Sequence, residues 1–280
     1  RLVSCSISAF GRSGADAGKP GYDLMIQALS GLMQITGEAE GMPMKVGVAI
    51  TDVITGLYTA VSALAGLVAR QAGQPGRAFD LSLFDCTLAS LVNVAQSSLL
   101  TGERPKRWGN AHPQIVPYEV FATADGYIAL AIGADRQWQR FCRSIDRPAW
   151  AADPRFATNP ARVQHREELV SMLDTVMRER TTIEWQEQLT AIDVPHAAVA
   201  SVDEALGSQR AIERGMVHEV TDAAGRRFQL VGSPVHWHDQ PPRTPRAPPA
   251  LGEHSAEVLR DWLGYADEDI AEARGRGAMG

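Results

Sequence analysis

Asp52 is the carboxylate whose sequence surroundings best suit covalent chemistry. It precedes a long uncharged stretch, Val53–Ala69, with the composition of a helix. The partial positive charge at a helix N-terminus keeps a carboxylate ionised, and Gly56, one turn later, leaves room for a substrate. An ionised, sterically open carboxylate can attack an activated acyl group. In the competing interpretation Asp52 or Thr51 only caps the helix, because both residue types are good N-caps.

Other catalytic signatures are weak or missing in the sequence. It has no GxSxG, P-loop or GxGxxG motif, and the Gly11–Gly14 segment lacks the strand–Ser–helix setting of a nucleophile turn. His236 and His238 could face the same way on a strand, but two histidines without a third ligand do not define a metal site. We therefore expect no metal and no tightly bound cofactor.

Charge and cysteine content limit the partners and the compartment. Acidic residues outnumber basic ones 33 to 27, and no basic cluster occurs, which argues against nucleic acid or an anionic membrane as a partner. Three widely separated cysteines fit a reducing compartment, so we expect a cytoplasmic location. The uncharged stretches Val53–Ala69 and Cys86–Gly102 fall short of the ~18 apolar residues of a membrane span, which predicts buried helices.

The elements that would position Asp52 alternate between strand and helix. Strands are predicted at Leu2–Phe10 and Phe79–Phe84, a helix from Thr51 to Gln71, and a second uncharged helix ending near Leu100. This order predicts an α/β domain with a parallel sheet. The first uncharged helix carries an apolar stripe and a small-residue stripe, so we expect the fold to enclose it. Those stripes are Leu57, Val61, Leu64 and Val68, and Gly56, Ala60 and Ala63.

The remainder of the chain reads as hairpins and amphipathic helices. One hairpin is predicted around Ala124-Asp125-Gly126 and another around Ala224-Gly225. A proline-rich connector is predicted at His238–Pro249. The predicted helices include Val163–Arg178, Ile183–Ala191, Ser255–Leu263 and Asp267–Arg274.

Short motifs along nearly the whole chain, each weak alone, become specific through their order and spacing. They are Lys19–Leu24, Gln27–Met33, Thr36-Gly37, Val46-Gly47, Gly73–Arg77, Gly109–Pro113, Arg214–Met216, Gly232–Pro234 and Pro249–His254. Together they resemble the family III CoA-transferases of the CaiB/BaiF type. In that family the catalytic aspartate opens a helix, and Asp52 matches its position.

The resemblance implies two acyl transfers. Asp52 would attack a donor thioester, giving an aspartyl–acyl anhydride and free CoA thiolate. The acceptor acid would then replace the donor acid in the anhydride, and the thiolate would attack the acceptor acyl group to form the new thioester. The implied substrates are an acyl-CoA and a small carboxylic acid. Such an anhydride must be shielded from water.

The resemblance also suggests substrate- or CoA-binding residues. The family loop matched by Gly109, Asn110 and His112 would close over or contact the substrate, although a surface loop with a capping Asn explains it equally well. Gln27, in the adjacent family motif, is assigned to the same class.

An α-methylacyl-CoA racemase is the alternative activity, because relatives of that type carry a His-Asp pair where this chain has Tyr22-Asp23. A phenol, with an ordinary pKa of about 10, is a poor base near pH 7, which favours the transferase. Tyr22 would then line the acyl or pantetheine site, unless it serves only packing. Asp135 lies where racemases carry an acidic residue, but helix capping explains it equally well.

The fold implied by the resemblance is α/β, with a Rossmann-like large domain and a smaller α+β domain in an interlocked homodimer. Residues 1–108 and 216–280 would form the large domain and 109–215 the small one. The sequence lacks the family's N-terminal stretch, so we expect a large domain that is incomplete at its N-terminus. A third hypothesis is therefore an inactive, truncated family member.

Overall fold

Two parallel strands organise the beginning of the chain in the computed structural model, which describes residues 2–240 and 243–279. β1 (Ser4–Ser8) pairs with β2 (Ala78–Ser82) in register from Ser4 opposite Ala78 to Ser8 opposite Ser82. The connection between them is long, as parallel pairing requires. It contains α1 (Asp23–Leu29), α2 (Leu32–Ile35) and α3 (Ile50–Gln71). The predicted β-α-β order and parallel pairing are confirmed.

Helix α3 packs on this sheet through a glycine. A Cβ added to Gly66 would lie 2.7 Å from Val3 Cγ1 and 2.9 Å from Phe79 Cε2, so only glycine permits this approach. The opposite face is open, and the predicted enclosure of α3 is wrong for this chain. Its apolar stripe is between 62% and 64% exposed, because the sheet and the neighbouring helices cover one side only. That stripe consists of Leu57, Val61, Leu64 and Val68.

The second uncharged helix is two helices, which corrects the sequence prediction. α4 (Leu83–Ser90) and α5 (Val92–Thr101) meet at Leu91 with a bend of 78°. Val92 has φ of 37°, an unusual value for a β-branched residue, and neither Gly nor Pro marks the break. α5 is also exposed rather than buried, with Leu99 80% accessible.

Length and composition alone make α3 a candidate for a membrane span. Within the described residues, the only further candidate is α4 together with α5. These two helices pass the same criterion only when they are treated as a single bent span.

The main hydrophobic core lies between residues 116 and 194. A three-stranded antiparallel sheet, in the order β3 (Tyr118–Ala122), β4 (Tyr127–Ala131) and β5 (His196–Ala198), packs against a group of helices. The predicted first hairpin is confirmed. The helices are α6 (Asp135–Ser144), α7 (Pro148–Ala152), α8 (Asn159–Gln164), α9 (Arg166–Met177) and α10 (Thr182–Ala191). The helix predicted over Val163–Arg178 is thus interrupted at His165, the residue shared by the end of α8 and the start of α9.

Arg162 is a fully buried cation within this core. Its Nε donates to the Val116 carbonyl at 2.6 Å, Nη1 to the Phe156 carbonyl at 3.0 Å and Nη2 to Asp135 Oδ1 at 2.9 Å. The guanidinium also lies over the Trp138 ring, 5.4 Å from its centroid. Three acceptors and an aromatic face compensate for removing the charge from water.

The chain divides into two units, Arg1–Val199 and Ala200–Gly280. The second contains α11 (Val202–Gly207), α12 (Gln209–Glu213), the predicted hairpin of β6 (Val217–Thr221) and β7 (Arg227–Val231), α13 (Ser255–Glu257), a π-helical turn (Val258–Trp262) and α14 (Asp267–Gly275). The proline-rich connector forms no helix or strand at residues 238–240 and 243–249, and its Pro241 and Pro242 lie outside the described residues. The domain boundaries near residues 108 and 215 stay a prediction.

Replacing Arg162 by Met keeps much of the side-chain volume but leaves the carbonyls of Val116 and Phe156 without this donor and removes the cation that pairs with Asp135. We expect the free energy of unfolding to fall by about 3 kcal/mol, as when one partner of a buried ion pair is removed. Denaturant unfolding followed by fluorescence of the buried Trp138 and Trp185 measures this. Arg136→Met, on the exposed face of α6, is the matched control and should change stability by no more than ~0.5 kcal/mol. Equal losses in both variants would contradict the assignment.

Candidate active site

Asp52 lies in the first turn of α3 as its third residue and is exposed. The N-cap of α3 is Ala49, and it supplies no side-chain hydrogen bond. The interpretation of Thr51 or Asp52 as the N-cap is therefore wrong. No hydrogen bond or ion pair engages the Asp52 carboxylate within residues 2–240 and 243–279, so it is open to a reagent approaching from solvent.

The cap of α3 comes instead from Asp23, 28 residues earlier. Asp23 Oδ1 accepts hydrogen bonds from the Thr51 backbone N–H at 2.9 Å and the Thr51 hydroxyl at 2.8 Å. Asp23 is itself the first residue of α1, whose N-cap is Tyr22. One carboxylate thus joins the beginning of α1 to the beginning of α3.

Gln27 extends this connection into the interior. Its side chain is fully buried, its Nε2 donates to Asp23 Oδ2 at 2.6 Å, and its Oε1 accepts from the Val46 N–H at 2.8 Å. The structure therefore places Gln27 beneath the segment that leads into α3, with both ends of its amide engaged inside the chain. Its predicted contact with substrate stays a prediction.

Hydrogen bonding determines the ionisation of Asp23. Partial burial acts to raise its pKa, but the hydrogen bonds from the Thr51 hydroxyl, the Thr51 N–H and Gln27 outweigh it. The net result is a pKa below the ordinary carboxyl value, so Asp23 is ionised near neutral pH.

The loop that resembles the family active-site loop lies against residues 38–39. Gly109 has φ of 60°, and a Cβ added there would be 3.9 Å from the Ala39 nitrogen. The loop then turns, because the His112 N–H donates to the Tyr118 carbonyl at 2.9 Å. Asn110 lines a shallow groove of about 240 Å³ beside β3, β4 and β5.

Two arginines that sequence reasoning did not single out hold this loop. Arg107 donates to the backbone carbonyls of Gln34, Glu38 and Gly41, which ties the loop to α2 and to the segment that follows it. Arg166 donates to the His112 carbonyl at 2.7 Å and lies over the Trp108 ring. The only signal in the sequence is that Arg107 lies two residues before the Gly109–Pro113 motif, which does not predict its acceptors.

Asp135 is a partly exposed partner of the buried Arg162. Its Oδ1 accepts from Arg162 Nη2 and from the Asn159 N–H, both at 2.9 Å. It is the first residue of α6, after the N-cap Ala134. Tyr22 is 74% exposed next to Asp23. The structure thus links Asp52, Asp23 and Gln27 through Thr51, while Asp135 has a separate structural partner. The substrate-binding roles of Tyr22, Asp135, Gly109, Asn110 and His112 stay predictions.

The described residues, 2–240 and 243–279, contain no group of three or more His, Cys, Asp or Glu side chains arranged to hold a metal ion.

Comparisons with known proteins agree with this fold. The family model for CoA-transferase family III matches residues 1–255. The chain is 38% identical over 266 residues to the succinate–glutarate CoA-transferase of Agrobacterium fabrum, covering 93% of this chain and 65% of that protein. It is 32% identical over 278 residues to the human succinyl-CoA:glutarate CoA-transferase, covering 99% of this chain and 64% of that protein.

A solved structure shows the same architecture. The crystal structure of a CaiB/BaiF family protein from Brucella suis superposes with a TM-score of 0.81 at 34% identity, covering 93% of this chain and 68% of that one. The chain belongs to CoA-transferase family III, as the sequence motifs predicted. Its mixed α/β fold is that of the CaiB/BaiF structures, and it spans less than two thirds of the length of the two curated relatives.

Replacing Arg107 by Ala removes the donor shared by three carbonyls. We expect residues 34–41 and the Gly109 loop to exchange their amide hydrogens about ten-fold faster or more, because their shared tether is lost. Hydrogen–deuterium exchange measured by mass spectrometry tests this. Arg104→Ala removes an exposed arginine three residues away and should leave both segments as in the parent protein. Unchanged exchange in the Arg107 variant would disprove the tether.

The lowered pKa of Asp23 predicts a pH-dependent contribution to stability. A carboxyl group whose pKa is lower in the folded protein stabilises it fully above the ordinary value of about 3.9 and loses this effect as the pH falls through the lowered pKa. The difference in free energy of unfolding between the parent and Asp23→Asn should therefore be larger at pH 6 than at pH 3. Denaturant unfolding at the two pH values measures this difference, and an equal difference at pH 6 and pH 3 would contradict the lowered pKa of Asp23.

Proposed function

We propose that the protein acts as a CoA-transferase that moves CoA from an acyl-CoA to a carboxylic acid, with Asp52 as the nucleophile. The observation that carries this proposal is the state of Asp52: exposed, in the first turn of α3, and free of partners within the described residues. Its helix is capped by Asp23, so the Asp52 carboxylate is not required for the cap. Membership of family III supports the same activity.

The chemistry begins at the thioester. An oxygen of Asp52 bonds to the donor acyl carbon as its C–S bond breaks, and CoA leaves as a thiolate. The product is an anhydride between Asp52 and the donor acid. No proton transfer is needed, because a carboxylate attacks and a thiolate departs.

Exchange and release follow the same pattern. The acceptor carboxylate attacks the Asp52 carbonyl carbon and expels the donor carboxylate. The product is a second anhydride, between Asp52 and the acceptor acid. The thiolate then attacks the acyl carbon of the acceptor, forms its C–S bond and frees the Asp52 carboxylate. The partial positive charge at the N-terminus of α3 favours the ionised carboxylate that begins and ends the cycle.

For substrates we propose succinyl-CoA as donor and a dicarboxylic acid such as glutarate as acceptor. Two curated relatives, at 38% and 32% identity, are named for succinate and glutarate. A relative from Haloarcula hispanica at 32% identity is named for succinyl-CoA and mesaconate, another dicarboxylic acid. CoA enters and leaves as a substrate and not as a resident cofactor.

We also propose that the protein works as an interlocked homodimer in the cytoplasm. The exposed apolar stripe of α3 and the exposed Leu99 and Leu100 of α5 support an assembly that covers these faces. A racemase gains no support from the site, because Tyr22 occupies the place where the racemase resemblance requires a histidine.

The test is intact-protein mass spectrometry after mixing with succinyl-CoA, with and without hydroxylamine. We expect an adduct of one succinyl group that hydroxylamine removes and that maps to Asp52. Asp52→Asn should abolish the adduct and lower the exchange of CoA between succinate and glutarate by about 10³-fold or more, as expected for loss of a covalent nucleophile.

Asp85→Asn is the matched control. Asp85 is likewise exposed and the third residue of its helix, and this variant should retain full adduct formation and exchange. Full exchange by the Asp52 variant would disprove the role of Asp52. Entry of solvent deuterium at the α-carbon of a branched acyl-CoA, without an acceptor acid, would instead identify a racemase.

A further inference from the structure

We infer that Asp23, supported by Gln27, is a positioning residue for the nucleophile: it fixes the first turn of α3 and thereby the place of Asp52. This inference rests on the proposed role of Asp52. It concerns a residue that would act through the helix and not on the substrate.

The first turn of α3 depends on a side chain from elsewhere in the chain. A helix leaves the N–H groups of its first turn without partners inside the helix, and a local side chain normally accepts from one of them. Ser82 does this for α4, Thr181 for α10 and Ser201 for α11. In α3 the N-cap Ala49 has no such group, and the acceptor for the Thr51 N–H is Asp23.

The contact is also tied to the interior. Thr51 is fully buried, and its hydroxyl and its N–H donate to the same oxygen of Asp23. The other Asp23 oxygen accepts from the fully buried Gln27, whose remaining amide oxygen holds the Val46 N–H. The position of the Thr51 backbone is therefore set by a chain of hydrogen bonds that ends in the segment before α3.

Fixing the Thr51 backbone also fixes the position of Asp52, the next residue. Asp52 follows Thr51 directly, and within the described residues its side chain makes no hydrogen bond or ion pair that would hold it. Without the cap, the first turn of α3 can fray, and the carboxylate is displaced from a bound thioester. Displacement of a reacting group by about 1 Å can reduce a rate about 10²-fold.

The test separates positioning from folding by single-turnover kinetics with succinyl-CoA. The amplitude of adduct formation at Asp52 reports how much protein is correctly folded, and the rate constant reports how well the folded molecules react. For Asp23→Ala we expect the rate constant to fall about 10–100-fold, with the KM for succinyl-CoA within a few-fold of the parent value. Thr51→Val, which removes only the hydroxyl donor, should fall between this variant and the parent.

An exchange of groups provides the rescue. In the double variant D23N/Q27E, the Asn oxygen still accepts from Thr51, the Asn amide donates to the new carboxylate, and that carboxylate still accepts from the Val46 N–H. We expect the double variant to regain a rate constant within a few-fold of the parent, whereas D23N alone sets two amide donors against each other and stays slower.

Asp125→Ala is the matched control for removing an aspartate that holds the start of a helix. Asp125 accepts from the Thr182 N–H at 2.7 Å and the Thr182 hydroxyl at 2.9 Å at α10. This variant should keep the parent rate constant. A loss of amplitude with an unchanged rate constant in Asp23→Ala would overturn the inference by showing a purely structural role.

The parent protein separates this inference from the proposal on which it rests. If the parent forms no adduct at Asp52, both fail together. If the parent reacts at Asp52 and Asp23→Ala reacts at the same rate, only the positioning role fails.

Discussion

The two hydrogen bonds from Thr51 to the Asp23 carboxylate join the parts of the chain on which the candidate site depends. They connect the start of α1, within the Lys19–Leu24 motif, to the start of α3, which carries Asp52. Since the cap is supplied from outside the helix, the Asp52 carboxylate needs no structural partner. The same feature explains why the motif that contains Asp23 and the candidate nucleophile Asp52, 29 residues later, form one physical unit.

The candidate site lies beside a small core, while the large core lies elsewhere in the same unit. Ala9, Ile26 and Leu83 form a minor cluster near β1 and α1, whereas the main core occupies residues 116–194. The elements around Asp52 are joined by the hydrogen bonds of Asp23 and Gln27, and α3 approaches Val3 and Phe79 closely at Gly66. Because that core is small, the apolar stripe of α3 remains exposed. An exposed apolar helix face of this kind is typical of a surface that another molecule covers.

Arginine side chains perform much of the positioning in the first unit. Arg162 holds backbone carbonyls in the main core, and Arg107 and Arg166 hold the two ends of the loop that includes Gly109 and His112. A guanidinium suits this task because its several donors diverge in one plane and stay charged at any physiological pH. At each of these three positions one arginine donates to two or three backbone carbonyls.

Local patterns in the sequence predicted the parallel pairing of β1 and β2, both hairpins, the extent of α3 and the family. These features depend on local periodicity, on turn residues such as Ala124-Asp125-Gly126, and on the order of motifs. Local patterns did not predict the break at Leu91, the interruption at His165 or the exposure of α3. Breaks of this kind without Gly or Pro, and the covering of a face, are decided by neighbours that a local pattern does not contain.

The same division holds for the site. Asp52 was identified from its position before an uncharged helix and from the motifs, but the identity of its cap was not. Thr51 and Asp52 are both good N-caps by type, and only the tertiary structure brings Asp23 to the Thr51 N–H and turns Gln27 inward. Asp135 is a similar case, because its partner Arg162 lies 27 residues away and becomes a neighbour only when the core forms. Hydrogen bonds between distant residues depend on how the elements pack, and so the packing determines that Asp23 and Asp135 are engaged in hydrogen bonds while Asp52 is left exposed.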